Sequence, residues 1–235
     1  MSEPLVLVTT VDGVSTVTLN RPQKLNAINT ALAVAIRDAL NDLRNLKKPD
    51  ILKAELPQMI LETIHYFRQV TGDQLDIALT DTQSPNDSAS LIMDTSEFFA
   101  ANLTELERLA PFMEMLTDVM IEFSELQFEA MGALASHPGH IMLSSPNLPG
   151  ISISDDNISV ISKRAFINAA LPYNSKLGEY FGGIALHTCG DFKQNYETVK
   201  QVKNLMLVDC HVSGADPQPN DPRKLAEAFA GSGII

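Results

Sequence analysis

The stretch Phe181-Gly182-Gly183-Ile184-Ala185-Leu186-His187-Thr188-Cys189-Gly190 sets a glycine turn, a short apolar run and two metal-binding residue types in a row. Residues 184–187 read as a buried strand, being too short for a helix. Side chains alternate along a strand, so His187 and Cys189, two apart, point to one face. A helix is expected before this strand at 162–181, kinked or interrupted by Pro172. After it come a helix at 192–202, a strand at 205–209 and a helix at 222–230. Gly233-Ile234-Ile235 reads as the start of another strand.

The same rhythm runs back toward the N-terminus. Residues 51–70 read as a helix and 75–79 as a short buried strand. Helices follow at 86–101 and 104–131, the longer one striped by Met113, Leu116, Met120 and Phe123. Residues 139–145 form the next expected strand, and 154–157 a polar loop. Short apolar strands separated by amphipathic helices imply a parallel sheet covered by helices. Residues 51–235 are fewer than the ~250 of a closed eight-fold barrel. The expected fold is therefore α/β, an incomplete (β/α)8 TIM-barrel-like unit.

A different pattern precedes it. Two Val- and Thr-rich runs, 5–10 and 15–19, flank Asp12-Gly13, a strong hairpin turn signal. A helix is expected at 29–46, capped by Asn29 or Thr30, with Leu32, Ile36, Leu40 and Leu43 on its apolar face. Lys47-Lys48-Pro49-Asp50 then breaks the pattern. Two units are expected, a hairpin plus helix over 1–48 and the barrel-like unit over 49–235.

The 235-residue chain is 45% hydrophobic and 20% charged, a globular balance with enough apolar surface for a core. Its net charge of −12 argues against nucleic acid or an anionic membrane surface as partner. Two cysteines are too few for a secreted disulfide scaffold, and no signal-like or membrane-length apolar run is present. A cytoplasmic location is expected.

Several stretches of the larger unit resemble the uroporphyrinogen decarboxylase superfamily. They are Asp81-Thr82-Gln83-Ser84-Pro85, Ser152-Ile153-Ser154-Asp155-Asp156-Asn157, Leu171-Pro172-Tyr173-Asn174 and the His187-Thr188-Cys189-Gly190 stretch. The resemblance implies a (β/α)8 barrel. It also implies either porphyrinogen decarboxylation or methyl transfer between a corrinoid and a thiol. His187-x-Cys189 is similar to the methyltransferase branch, where zinc held by His, Cys and a later Cys activates the acceptor thiol. The Arg-rich opening of the decarboxylase branch is absent from the chain. Residues 14–27, with Asn20-Arg21-Pro22-Gln23-Lys24-Leu25-Asn26-Ala27, resemble the opening of the enoyl-CoA hydratase (crotonase) family over about 5–45. The catalytic residues of that family have no counterpart here, so the join near 47–51 reads as a fusion.

Barrel enzymes carry their chemistry at the C-terminal ends of strands, where the polar residues of this chain collect. Asp81, Asp155 and Asp156 are the candidate catalytic carboxylates, and Gln83 and Asp209 the candidate substrate-binding residues. His187 and Cys189 are the candidate zinc ligands, with Cys210 or His211 as a third. The competing readings are a buried Cys189 packed beside a hydrogen-bonded His187, core packing for Cys210, and solvated or helix-capping roles for Asp155 and Asp156. The expected function is zinc-dependent methyl transfer, its partners a small-molecule substrate or a corrinoid protein. Decarboxylation through Asp81, or an inactive truncated barrel, is the alternative.

Limited proteolysis should cut first near residues 47–50, where the linker is polar and carries a helix-breaking proline. Equal resistance along the whole chain would contradict the two-unit division.

Overall fold

In the computed structural model, residues 3–11, 14–40, 46–138, 148–215 and 217–235 are described. The chain divides into two compact units, Met1–Pro49 and Asp50–Ile235.

In the first unit the β-branched runs form strands β1 (Val6–Val11) and β2 (Val14–Leu19). They pair antiparallel from Val6↔Leu19 to Val11↔Val14. The expected Asp12-Gly13 turn lies outside the described residues. Helix α1 (Thr30–Leu40) begins where Asn29 Oδ1 accepts the Leu32 amide at 3.0 Å, and Leu32 is fully buried. The remainder of the expected helix, 41–45, is also outside the described residues.

The second unit is built on three parallel strands, β3 (Ile151–Ser154), β4 (Ile184–Thr188) and β5 (Leu205–Cys210), in that order. Parallel pairing continues beyond them. Gln83 bridges to Ser154 on one side. On the other, the Ile235 amide donates to the Met206 carbonyl, and the Ile235 carbonyl accepts from Val208, both at 2.9 Å. Ile151, Ile153, Ile184 and Leu186 face a core shared with Phe166, Leu177 and Phe192. The helices are α2 (Glu55–Thr71), α3 (Pro85–Ile92), α4 (Thr95–Thr104), α5 (Leu106–Met131), α6 (Lys163–Ala169), α7 (Leu171–Phe181), α8 (Tyr196–Val199) and α9 (Pro222–Phe229). The unit is mixed α/β, and no closed barrel is present among the described residues.

Several expectations need correction. The strand expected at 75–79 is reduced to one bridge, Ile77↔Ala135, with Leu79 buried and Leu75 exposed. The helix expected at 86–101 is two, because Asp94 accepts the Glu97 amide at 3.0 Å and starts α4 afresh. Pro172 does interrupt the 162–181 helix, falling in the first turn of α7. The helix expected at 192–202 shrinks to a 3-10 turn and the single turn of α8. The expected strand at 139–145 lies outside the described residues. Strand β3 was not anticipated; its serines hide it from an apolar-run criterion. Ser152 and Ser154 face away from the isoleucine core, yet both are buried.

The β3–β4 pairing starts at two glycines. A Cβ on Gly150, whose φ is +93°, would lie 1.9 Å from the Gly183 carbonyl oxygen. Gly150→Ala should therefore destabilise the unit by roughly 3 kcal/mol or more, combining backbone strain with a clash against main chain. Urea unfolding measures this, and a loss below about 1 kcal/mol would show that the glycine approach is not needed for pairing.

Candidate metal centre

Strand parity assembles the site. In a parallel sheet, laterally paired residues point to the same face. Gln83 pairs with Ser154, Ser154 with His187, and His187 with Asp209, so these four form one rung. Cys189 lies two residues beyond His187, just past β4, and Asp156 opens a short 3-10 helix (Asp156–Ser159) after β3. One ligand atom each from Asp156, His187 and Cys189 lie within 4.8 Å of one another.

His187 is the centre of this group, its side chain 12% exposed. Its Nδ1 meets Asp209 Oδ2 at 2.6 Å, and its Nε2 meets Cys189 Sγ at 3.3 Å. A carboxylate on Nδ1 fixes the ring so that Nε2 is the nitrogen offered to a metal. Ordinary Zn–S and Zn–N lengths at a tetrahedral angle place sulfur and nitrogen about 3.6 Å apart. The observed 3.3 Å is close to that spacing. The Cys189 amide donates to Asp156 Oδ1 at 2.7 Å, leaving Asp156 Oδ2 without a hydrogen bond among the described residues. Nitrogen, sulfur and oxygen donors on one face are a zinc-type set, and the residues present fit that ion.

The remaining predicted residues fall in different places. Asp209, expected to bind substrate, is hydrogen-bonded to His187 Nδ1. Gln83 stands on the rung, its Nε2 donating to Asp81 Oδ1 at 3.3 Å, and Asp81 is exposed. His211 is close, its ring centroid 6.0 Å from that of His187. Cys210 is not on this face. It pairs with Thr188 and packs against the core, and burial followed by the nearby Asp209 pushes its thiol up to about 11. Cys210 thus packs on the core side, away from the Asp156, His187 and Cys189 donor atoms.

Asp155 also turns away from the rung. It is fully buried, accepting from Asn86 of α3 at 2.9 Å and Asn174 of α7 at 2.8 Å. Burial raises its pKa against the pull of those hydrogen bonds. Beside it lies Asp87, a residue the sequence reading passed over. Its Oδ2 accepts the Asp156 amide at 2.7 Å and its Oδ1 the Asn157 amide at 3.0 Å. Burial, then the charge of Asp155, pushes Asp87 up to about 8. Two buried carboxyls this close do not both ionise, so the pair holds one proton at neutral pH. Ser84-Pro85-Asn86-Asp87 was the available signal. It is a helix start that sets Asp87 on the first turn, and Ser84 Oγ accepts the Asp87 amide at 3.0 Å.

Asp87 is pushed up to about 8 in the folded chain, while an unfolded aspartate releases its proton near pH 4. Stability should therefore fall as pH rises from about 4 to about 8, by up to ~1.4 kcal/mol per pH unit. Because burial raises Asp155 as well, replacing both carboxyls in the Asp87→Asn, Asp155→Asn double variant should flatten that slope in urea unfolding across this range. An unchanged slope would show that the pair carries no extra proton.

No protein-family model matches this chain, and no curated protein does.

Proposed function

We propose that the second unit binds zinc through Asp156, His187 and Cys189 and uses it to activate a thiol for methyl transfer. The supporting observation is the convergence of three different donor atoms within 4.8 Å on one face of the sheet, with the His187 ring already oriented by Asp209. Three protein ligands leave a fourth tetrahedral position open, the arrangement of a catalytic rather than a structural zinc site. Bound zinc supplies Lewis acidity that lowers the pKa of an incoming thiol toward neutrality.

The residues around it supply the rest. Asp209 accepts from His187 Nδ1, which strengthens Nε2 as a donor. Gln83 lies along the same rung and offers an amide to a polar group of the substrate. The corrinoid as methyl donor comes from the resemblance of the His187-Thr188-Cys189-Gly190 stretch and its neighbours to the methyltransferase branch. Porphyrinogen decarboxylation through Asp81 is the weaker reading. Asp81 is exposed and engaged with Gln83, while the three donor atoms converge at His187.

Protein prepared without chelator should carry up to one zinc per chain by elemental analysis. Cys189→Ala and His187→Ala should each remove most of it, because a three-donor site losing its thiolate or imidazole keeps little affinity. Cys210→Ala should leave the zinc in place. Zinc that survives Cys189→Ala, or leaves with Cys210→Ala, would contradict the assignment.

A further inference from the structure

We infer that Asp87 is a positioning residue for this centre, holding the Asp156–Asn157 backbone so that the Asp156 carboxylate meets His187 and Cys189. The inference rests on the zinc reading above and adds a residue from a helix that contributes no ligand.

The geometry is specific. Asp87 sits on the first turn of α3 and is 5% exposed. An acidic residue there ordinarily serves its own helix, where the dipole and unpaired amides favour it. Here both carboxyl oxygens instead reach across to consecutive amides of the segment after β3, at 2.7 and 3.0 Å. Neighbouring contacts complete the clamp. Asn157 Nδ2 donates to Ser90 Oγ at 2.9 Å, and Ser159 Oγ donates to the Asp156 carbonyl at 2.7 Å. Asp156 therefore has its amide, its carbonyl and its Oδ1 all fixed. Oδ2 is the atom left over.

Stability alone does not account for Asp87. A carboxyl buried beside the buried Asp155, with no Lys or Arg hydrogen-bonded to either among the described residues, is an expensive way to satisfy two amides. What it provides is direction. Two acceptors on one rigid planar group fix both the position and the tilt of the peptide that carries Asp156. Removing it frees that peptide, and a carboxylate displaced by about an ångström no longer completes the donor set.

A double-mutant cycle on the full chain tests this, with zinc affinity read by competition against a chromophoric chelator. Asp87→Ala should weaken zinc binding by roughly 10- to 100-fold, the usual loss when an outer partner of a metal ligand is removed. Asp156→Ala should weaken it at least as much. In the Asp156→Ala background, Asp87→Ala should cost less than about twofold more, because its effect passes through Asp156. A purely structural role would give the same loss in both backgrounds, and that result would overturn the inference while leaving the zinc site standing. Wild-type protein that binds no zinc would overturn both. Should Asp87→Ala not fold, Asp87→Asn keeps one acceptor and runs the same cycle, with a smaller loss expected under the same criterion.

Discussion

The site depends on one constraint, the alternation of side chains across a parallel sheet. The Gln83–Ser154–His187–Asp209 rung fixes which residues share a face. From it, a step of two reaches Asp156 and Cys189, and a step of one reaches Asp155, Thr188 and Cys210. The first set meets at His187. The second set turns into the layer between sheet and helices. A slip of one residue in the β3–β4 register would bring Asp155 in place of Asp156 to the face of His187 and Cys189. The glycine contact at Gly150 and Gly183 lies at the start of that pairing, so the placement of the donor atoms depends on a backbone approach at the far end of the strands.

The two faces carry polar groups for different reasons. On the rung face, Asp156, His187 and Cys189 keep donor atoms close together and partly accessible. On the helix face, Asp155 links Asn86 of α3 to Asn174 of α7, and Asp87 links α3 to the segment after β3. A buried network of this kind contributes through direction more than through net energy, since burying two carboxyls offsets much of what their hydrogen bonds provide. The two networks meet in the Asp155-Asp156 peptide, whose adjacent carboxyls point to opposite faces.

Much of this was legible from residue pattern. The spacing of His187 and Cys189 placed both on one face, and strands 184–188 and 205–210 were visible as short apolar runs ended by polar residues. The break at 47–50 was readable from composition, and the contact division falls there. Asp155 and Asp156 were not separable by the same reasoning. The Ile-Ser-Ile-Ser strand before them contains too few apolar residues to register as a buried strand, and without it their parity is undefined. Asp209 was expected to meet substrate because a carboxylate at a strand end reads that way; its partner 22 residues earlier emerges only from the register. Asp87 stayed hidden for a similar reason. Its partners are 69 and 70 residues away, and sequence spacing shows only that it begins a helix.

The central claim is that the ion's coordination shell holds one sulfur together with nitrogen and oxygen. X-ray absorption at the zinc edge of the zinc-loaded chain reads this directly. The account predicts one sulfur near 2.3 Å and a remaining shell of nitrogen and oxygen near ~2.0–2.1 Å, with the sulfur scatterer lost in Cys189→Ala. A second sulfur in the shell would place Cys210 at the metal, and a shell without sulfur would remove Cys189 from it. Either result would contradict the side-chain parity from which the site is built.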